Sequence, residues 1–177
     1  MKPSNFCLVV VDVQEKFRSV IHEWDKTLEN IVKLIRGAQV LGVPTVVTEQ
    51  YPKGLGKTVK EISDVLEFTP VEKTCFSCAK DDGFMEALDA TGCENVILCG
   101  IESHVCVLQT ALDLMKGGYD VHYVVDAVSS RNKSDKKIAV RRVVQEGALA
   151  SSVEMILFQL LEKAGTDEFK KISEIVK

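Results

Sequence analysis

The sequence predicts a three-layer α/β/α fold around an open, mainly parallel sheet of six strands, and three observations carry that expectation. Short, strongly apolar runs alternate along the chain with segments whose apolar residues recur at helical spacing. The first run, Phe6 to Val11 (FCLVVV), is apolar at every position, the pattern of a parallel strand covered by helices on both faces. No linker, internal repeat or low-complexity stretch interrupts the alternation, so the 177 residues are expected to form a single domain, 1–177, with a substantial core.

The elements follow in order. The first strand closes at Asp12. Leu28, Ile31, Val32, Ile35 and Ala38 then recur at helical spacing, and Leu41-Gly42-Val43-Pro44 supplies the stop. Thr45 to Thr48 is the second strand. Gln50 to Thr58 (QYPKGLGKT) holds Pro52, Gly54 and Gly56 and reads as a loop, and its GLGKT lacks the spacing of a Walker A phosphate loop. A short helix over Val59 to Leu66 leads to a third strand, Phe68 to Lys73, which Pro70 interrupts. Phe84 to Leu88 is another short helix. Val96 to Cys99 is the fourth strand; it breaks at Gly100, and Val105, Leu108, Leu112 and Met115 begin a helix that Gly117-Gly118 ends. Asp120 to Val125 is the fifth strand, closing at Asp126. Ser134 is placed to cap a helix reaching Gln145, and Ala148 to Ala150 form a short sixth strand. Ser151-x-x-Glu154 has the form of a capping box before the apolar face Val153, Ile156, Leu157, Leu160 and Leu161. Phe169, Ile172 and Val176 mark a last amphipathic segment, packed on the domain or on a partner subunit.

Composition bounds the function. Hydrophobic residues at 46% and charged residues at 27% suit a globular protein. The formal charge of −4, with no basic stripe, argues against a nucleic-acid partner. No apolar run approaches the roughly 20 residues that span a bilayer, and the start, MKPSNFCLVVVD, runs directly into a core strand without the features of a signal peptide. A cytoplasmic protein with no membrane partner is expected, its six cysteines reduced and not a disulfide framework.

In open α/β sheets ligands bind beyond the carboxyl ends of the strands, where strand order reverses. The residues delivered there are Asp12, then Glu49, Gln50 and Tyr51, then Lys73, then Gly100 to Cys106. A carboxylate, an ammonium and a thiol thus converge on one edge. Cys106 falls at or near the first turn of a helix, where unpaired N–H groups and the positive dipole end favour a thiolate and an oxyanion. In acyl transfer Cys106 attacks the carbonyl, Asp12 takes its proton and returns it to the leaving group, and Lys73 lowers the thiol pKa and holds the acid in place. Each also has an ordinary structural alternative: Cys106 as a small buried hydrophobe, Asp12 and Lys73 as an ion pair at strand ends.

Asp12-Val13-Gln14 with Phe17, Lys73-Thr74 with Ser77, and Gly100-Ile101-Glu102-Ser103-His104-Val105-Cys106-Val107 resemble, in order, the three motifs of the isochorismatase-like cysteine hydrolases. The resemblance covers essentially the whole chain. It implies a catalytic Asp12, Lys73 and Cys106, a non-proline cis peptide at Ile101-Glu102 in the turn that forms an oxyanion hole with Cys106, and a homo-oligomer, dimer or larger. It further implies a hydrolase that opens an amide or related C–N bond of a small molecule through a Cys106 thioester, chemistry that requires no cofactor and no metal. Gln14, Phe17, Gln50, Tyr51 and His104 are the candidate substrate contacts.

Departures from the family pattern narrow the reading. Nicotinamidases in the family carry metal-binding histidines after the second strand, where this chain reads Thr48-Glu49-Gln50-Tyr51; His22, His104 and His122 are scattered. The GIE turn, the TEQYPKGLG loop and the FKKI tail look most like the subgroup called isochorismatase domain-containing proteins. Isochorismate-type ether hydrolysis is an alternative activity, though retention of Cys106 favours an acyl substrate. A non-catalytic scaffold is another, as is thiol redox chemistry at Cys106 or at Cys75-x-x-Cys78, a pair that ordinary burial also explains. Glu102, where much of the family has a small residue, either selects a cationic or hydrogen-bond-donating substrate or pairs with a nearby Lys or Arg. His104 either assists proton transfer or lines the turn or a subunit contact. Trp24 and Tyr51 either line a pocket or pack in the core.

Overall fold

The computed structural model describes residues 2–177. Six strands, β1 (Phe6–Val11), β2 (Thr45–Gln50), β3 (Val71–Lys73), β4 (Asn95–Ile101), β5 (Asp120–Ser129) and β6 (Leu149–Ser151), form one sheet in the order β3-β2-β1-β4-β5-β6. Every neighbouring pair is parallel. Helices α1 (Trp24–Val40), α2 (Pro52–Leu55), α3 (Lys60–Ser63), α4 (Asp82–Asp89), α5 (Leu108–Lys116), α6 (Lys133–Gln145), α7 (Val153–Leu161) and α8 (Asp167–Val176) complete it.

The continuously apolar β1 is buried at all of its positions because its two faces serve two cores. Phe6, Leu8 and Val10 join α1, α7 and α8 residues such as Ile31, Leu157 and Ile172 on one side. Cys7, Val9 and Val11 join Phe84, Ala111 and Val143 of α4, α5 and α6 on the other. The chain leaves β1 for β2 on one flank and later returns to β4 on the other, so strand order reverses between β1 and β4. That reversal opens the crevice into which the residues after β1 and β4 project.

Several boundaries differ from the sequence expectation, each for an identifiable reason. β2 runs on to Gln50 because Glu49 and Gln50 pair with Glu72 and Lys73. β3 begins only at Val71, directly after Pro70, which has no N–H to give a ladder. β5 does not close at Asp126: its register against β4 shifts between Leu98 and Gly100, and the strand resumes with Val128 opposite Gly100 and Ser129 opposite Ile101. Within that irregular stretch Asp126 turns its carboxylate to the start of α7, accepting from Val153 N at 3.0 Å. Helix α7 is capped by Ser152, whose hydroxyl accepts from Met155 N, so the Ser151 to Glu154 capping box does not form and Ser151 ends β6. Helix α6 starts at Lys133 behind Asn132, with Ser134 already inside it. The expected helix over Val59 to Leu66 shortens to the single turn α3. The last amphipathic segment is α8, and it packs on this chain: Ile172 is buried and Phe169 meets Phe158 edge to face.

Candidate active site

Asp12 stands one residue past β1 with φ +52°, a left-handed conformation that turns the chain sharply and leaves its carboxylate fully buried in the crevice. Its Oδ2 accepts from Lys73 Nζ at 2.8 Å and its Oδ1 from Thr48 Oγ1 at 2.7 Å. Lys73, at the end of β3, also donates to Gln50 Oε1 at 2.7 Å and to the carbonyls of Cys75 and Phe76 at 3.3 and 3.4 Å. An ammonium without water needs such a ring of acceptors. Burial opposes its charge, but the groups around it, Asp12 among them, outweigh burial and hold its pKa above the ordinary lysine value.

Cys106 comes to the same carboxylate from β4. Gly100 has φ +120°, and a Cβ there would lie 2.2 Å from the carbonyl oxygen of Val11. Only glycine lets β4 pass this close to β1 while the chain turns. The Ile101-Glu102 peptide is cis. A wide π-type turn, Ser103–Val107, then carries Cys106 before α5 proper begins at Leu108, so the cysteine sits in an irregular turn and not in the first turn of the α-helix. Tyr123, buried beneath, accepts from or donates to Ser103 Oγ at 2.9 Å and donates to Ser103 O at 3.0 Å, fixing the turn from below.

The thiol's electrostatics differ from the expectation of a resting thiolate. Burial is the largest influence on Cys106 and raises its pKa; the Asp12 charge and a hydrogen bond to Asp12 raise it further, and Lys73 only partly offsets them. Burial and the Asp12 charge together thus favour the neutral thiol over the thiolate. Desolvation outweighs the lysine effect, and the cysteine's place in the turn removes it from the helix end that the sequence suggests. A second thiol lies in the same cluster: Cys78 Sγ is 3.8 Å from Thr48 Oγ1, and burial pushes its pKa up to about 12. All six cysteines are free, Cys78 buried and Cys75 partly exposed.

The remaining candidates separate into those at the cluster and those away from it. Gln14 is fully buried and its amide is engaged by protein: Oε1 accepts from Gln50 N at 2.8 Å, and Nε2 donates to Gln50 O at 3.1 Å and Gly56 O at 2.6 Å. Gln14 thus orients Gln50, and Gln50 orients Lys73. Phe17 packs against the α1-side core. Tyr51 is 55% exposed, with its ring lying over Gly54, where a Cβ would come within 2.5 Å of the ring. Trp24 is core, with the Arg18 guanidinium over its ring. Glu102 resolves its two alternatives toward pairing: its Oε2 accepts from Arg131 N and Arg131 Nε, both at 3.1 Å. His104 pairs through Nδ1 with Ser130 Oγ at 2.9 Å.

Thr48 and Phe76 carry no signal of their own in the sequence. A threonine in a β-branched run reads as strand propensity. Its place beside Asp12 follows from the β1/β2 register, Val11 opposite Thr48, which composition does not disclose. Phe76 is 55% exposed on the segment whose carbonyl accepts from Lys73. Among the described residues no group of three or more His, Cys, Asp or Glu side chains is clustered as a metal site, and no helix is long and apolar enough to cross a membrane.

The protein is thus a parallel α/β sheet with a buried acid, lysine and thiol at its strand-order reversal, and its likeness to known proteins defines its family. Residues 6–155 match the isochorismatase domain, and the chain belongs to that family. Isochorismatase domain-containing protein 2 of Bos taurus is 42% identical over 99% of this chain and 84% of its own length. The secreted isochorismatase effector Isc1 of Phytophthora sojae is 43% identical, over 99% and 86% respectively. A solved structure described as MAR1 ribonuclease from Caenorhabditis elegans superposes with a TM-score of 0.93 at 42% identity, covering 99% of this chain and 91% of that one.

Proposed function

We propose that this isochorismatase-family hydrolase is a single-domain cysteine hydrolase that opens an amide or related C–N bond of a small molecule through a thioester on Cys106. The observation that carries the reading is the buried Asp12–Lys73 pair, 2.8 Å apart, set close enough to Cys106 for the Asp12 charge to raise the thiol's pKa. As the sulfur attacks the carbonyl, Asp12 accepts the thiol proton and Lys73 holds the carboxylate in line. Backbone N–H groups of the turn from Ile101 to Cys106 receive the oxyanion. Collapse transfers the proton from Asp12 to the departing amine; water, deprotonated by Asp12, then releases the acid and restores the thiol.

Tyr51 and Phe76, each exposed and each bonded through its backbone to Lys73, are side chains available to an entering substrate. The net charge of −4 supports a small molecule over RNA as substrate. Six unbridged thiols support a reducing compartment, the cytoplasm, in contrast to the relative whose name includes secretion. Exposed Ile138, Leu149 and Met155, on α6, β6 and α7, support a homo-oligomer, dimer or larger.

The test is intact-protein mass spectrometry during incubation with a panel of small amides and activated esters. A mass gain equal to the acyl group, mapped to Cys106 and absent in Cys106→Ala, is expected. Turnover that survives in Cys106→Ala overturns the reading.

A further inference from the structure

A cleft of about 400 Å³ lies between the turn before α1 and helix α6, and it shares no lining residue with the Asp12, Lys73 and Cys106 cluster. Lys133, Lys136, Lys137 and Arg141 face it from α6, and His22 and Glu23 close it from the opposite side. Val125 and Val140 form its apolar wall. Three lysines and an arginine thus meet one carboxylate in a concave site of ligand size.

Among the described residues none of the four takes part in an ion pair or a side-chain hydrogen bond, so their charges meet in the cleft without a carboxylate partner within 4 Å. Lys136 is half-buried, and burial, with the charge of Lys26, outweighs Glu23 and Asp126 to hold its pKa below the ordinary lysine value. His22 Nε2 is buried without a hydrogen-bond partner among the described residues and lies 3.6 Å from Glu23 Oε2. A half-buried ammonium among three further cations carries a cost that a bound anion removes.

We propose that this cleft binds the diphosphate group of a small ligand. A diphosphate has several charges and many acceptor oxygens, matching three ammonium groups and a guanidinium that together present more donors than one carboxylate accepts. The valines form a wall on which the remainder of an organic diphosphate rests. Ser130 and Arg131, just ahead of α6, hold His104 and Glu102 of the turn that carries Cys106, so the site lies beside the catalytic crevice without entering it.

Titration calorimetry with inorganic pyrophosphate at fixed ionic strength tests this, together with NMR of the three histidine rings. Saturable binding at one site per chain is expected. The expected Kd rises at least tenfold in Lys136→Gln/Arg141→Gln and is unchanged in Lys80→Gln/Lys116→Gln, which removes the same charge elsewhere. His22 shifts on binding while His122 does not. ADP in a second arm distinguishes a free diphosphate from one carried on a nucleoside, tighter ADP binding assigning the valine wall to the nucleoside. No saturable binding, equal weakening in the control variant, or an unmoved His22 in wild type overturns the proposal; the last needs no variant to fold.

Discussion

At Asp12 each carboxylate oxygen has a separate partner, Lys73 on Oδ2 and Thr48 on Oδ1, and no water is needed to satisfy either. The division matters because a buried carboxylate with one bare oxygen carries the full cost of its lost hydration and is less firmly aimed. Thr48→Val keeps the shape of the side chain and removes only the hydroxyl. Its expected cost is about 1–3 kcal/mol of folding stability, read from denaturant unfolding. A cost indistinguishable from zero would show that Thr48 is a bystander. Cys106 illustrates why residue chemistry is only partly legible in sequence: that Cys106, Asp12 and Lys73 meet at one sheet edge can be read from their places after the strands, but the sign of the thiol's shift depends on how much water the fold removes. Here the thiol is 7% exposed, and burial decides.

At the scale of elements, the strand cores were legible and their ends were not. An unbroken apolar run such as FCLVVV announces a doubly covered strand, and β1 occupies that run. Ends depend on partners: β2 and β5 run on beyond their apolar cores because the polar residues Glu49, Gln50 and Ser129 find ladder partners across the sheet. The turn from β4 into α5 was legible as a break, through Gly100, but its π-type form and the support from Tyr123 come from a strand distant in sequence. Gly100→Ala is expected to be among the most damaging single-methyl additions, costing about 3 kcal/mol or more, because the added carbon meets the β1 backbone and the positive φ together. A Tm within a degree or two of wild type would contradict that placement.

At the scale of the whole molecule, the fold removes several ionisable groups from water in their neutral form, and this fixes a pH dependence of stability. Burial raises the thiol pKa of Cys106 and, to about 12, that of Cys78. Unfolded, both ionise near about 8.5. The native state therefore binds more protons than the unfolded state above that value, and ∂ΔG/∂pH of unfolding is negative there. The stabilisation is complete below about 8.5 and is lost as pH climbs toward the folded values. Urea midpoints are expected to fall steadily from pH 8 to pH 10, with a shallower slope in Cys78→Ala whatever its absolute stability. A flat profile would mean that these thiols are wet or mobile.

The central claim is that Cys106 rests as a neutral thiol whose proton Asp12 is placed to accept. The pH dependence of Cys106 alkylation by iodoacetamide, in wild type and in Asp12→Asn, tests it most directly. Removing the negative charge and the carboxylate acceptor leaves Lys73 beside the sulfur, so the asparagine variant should have the more acidic thiol and yet form no acyl-enzyme. Wild type is predicted to react slowly at pH 7, with an apparent pKa above about 8.5, and Asp12→Asn to shift that value downward. A wild-type thiolate already present at neutral pH, or a titration that the substitution leaves in place, would contradict the account.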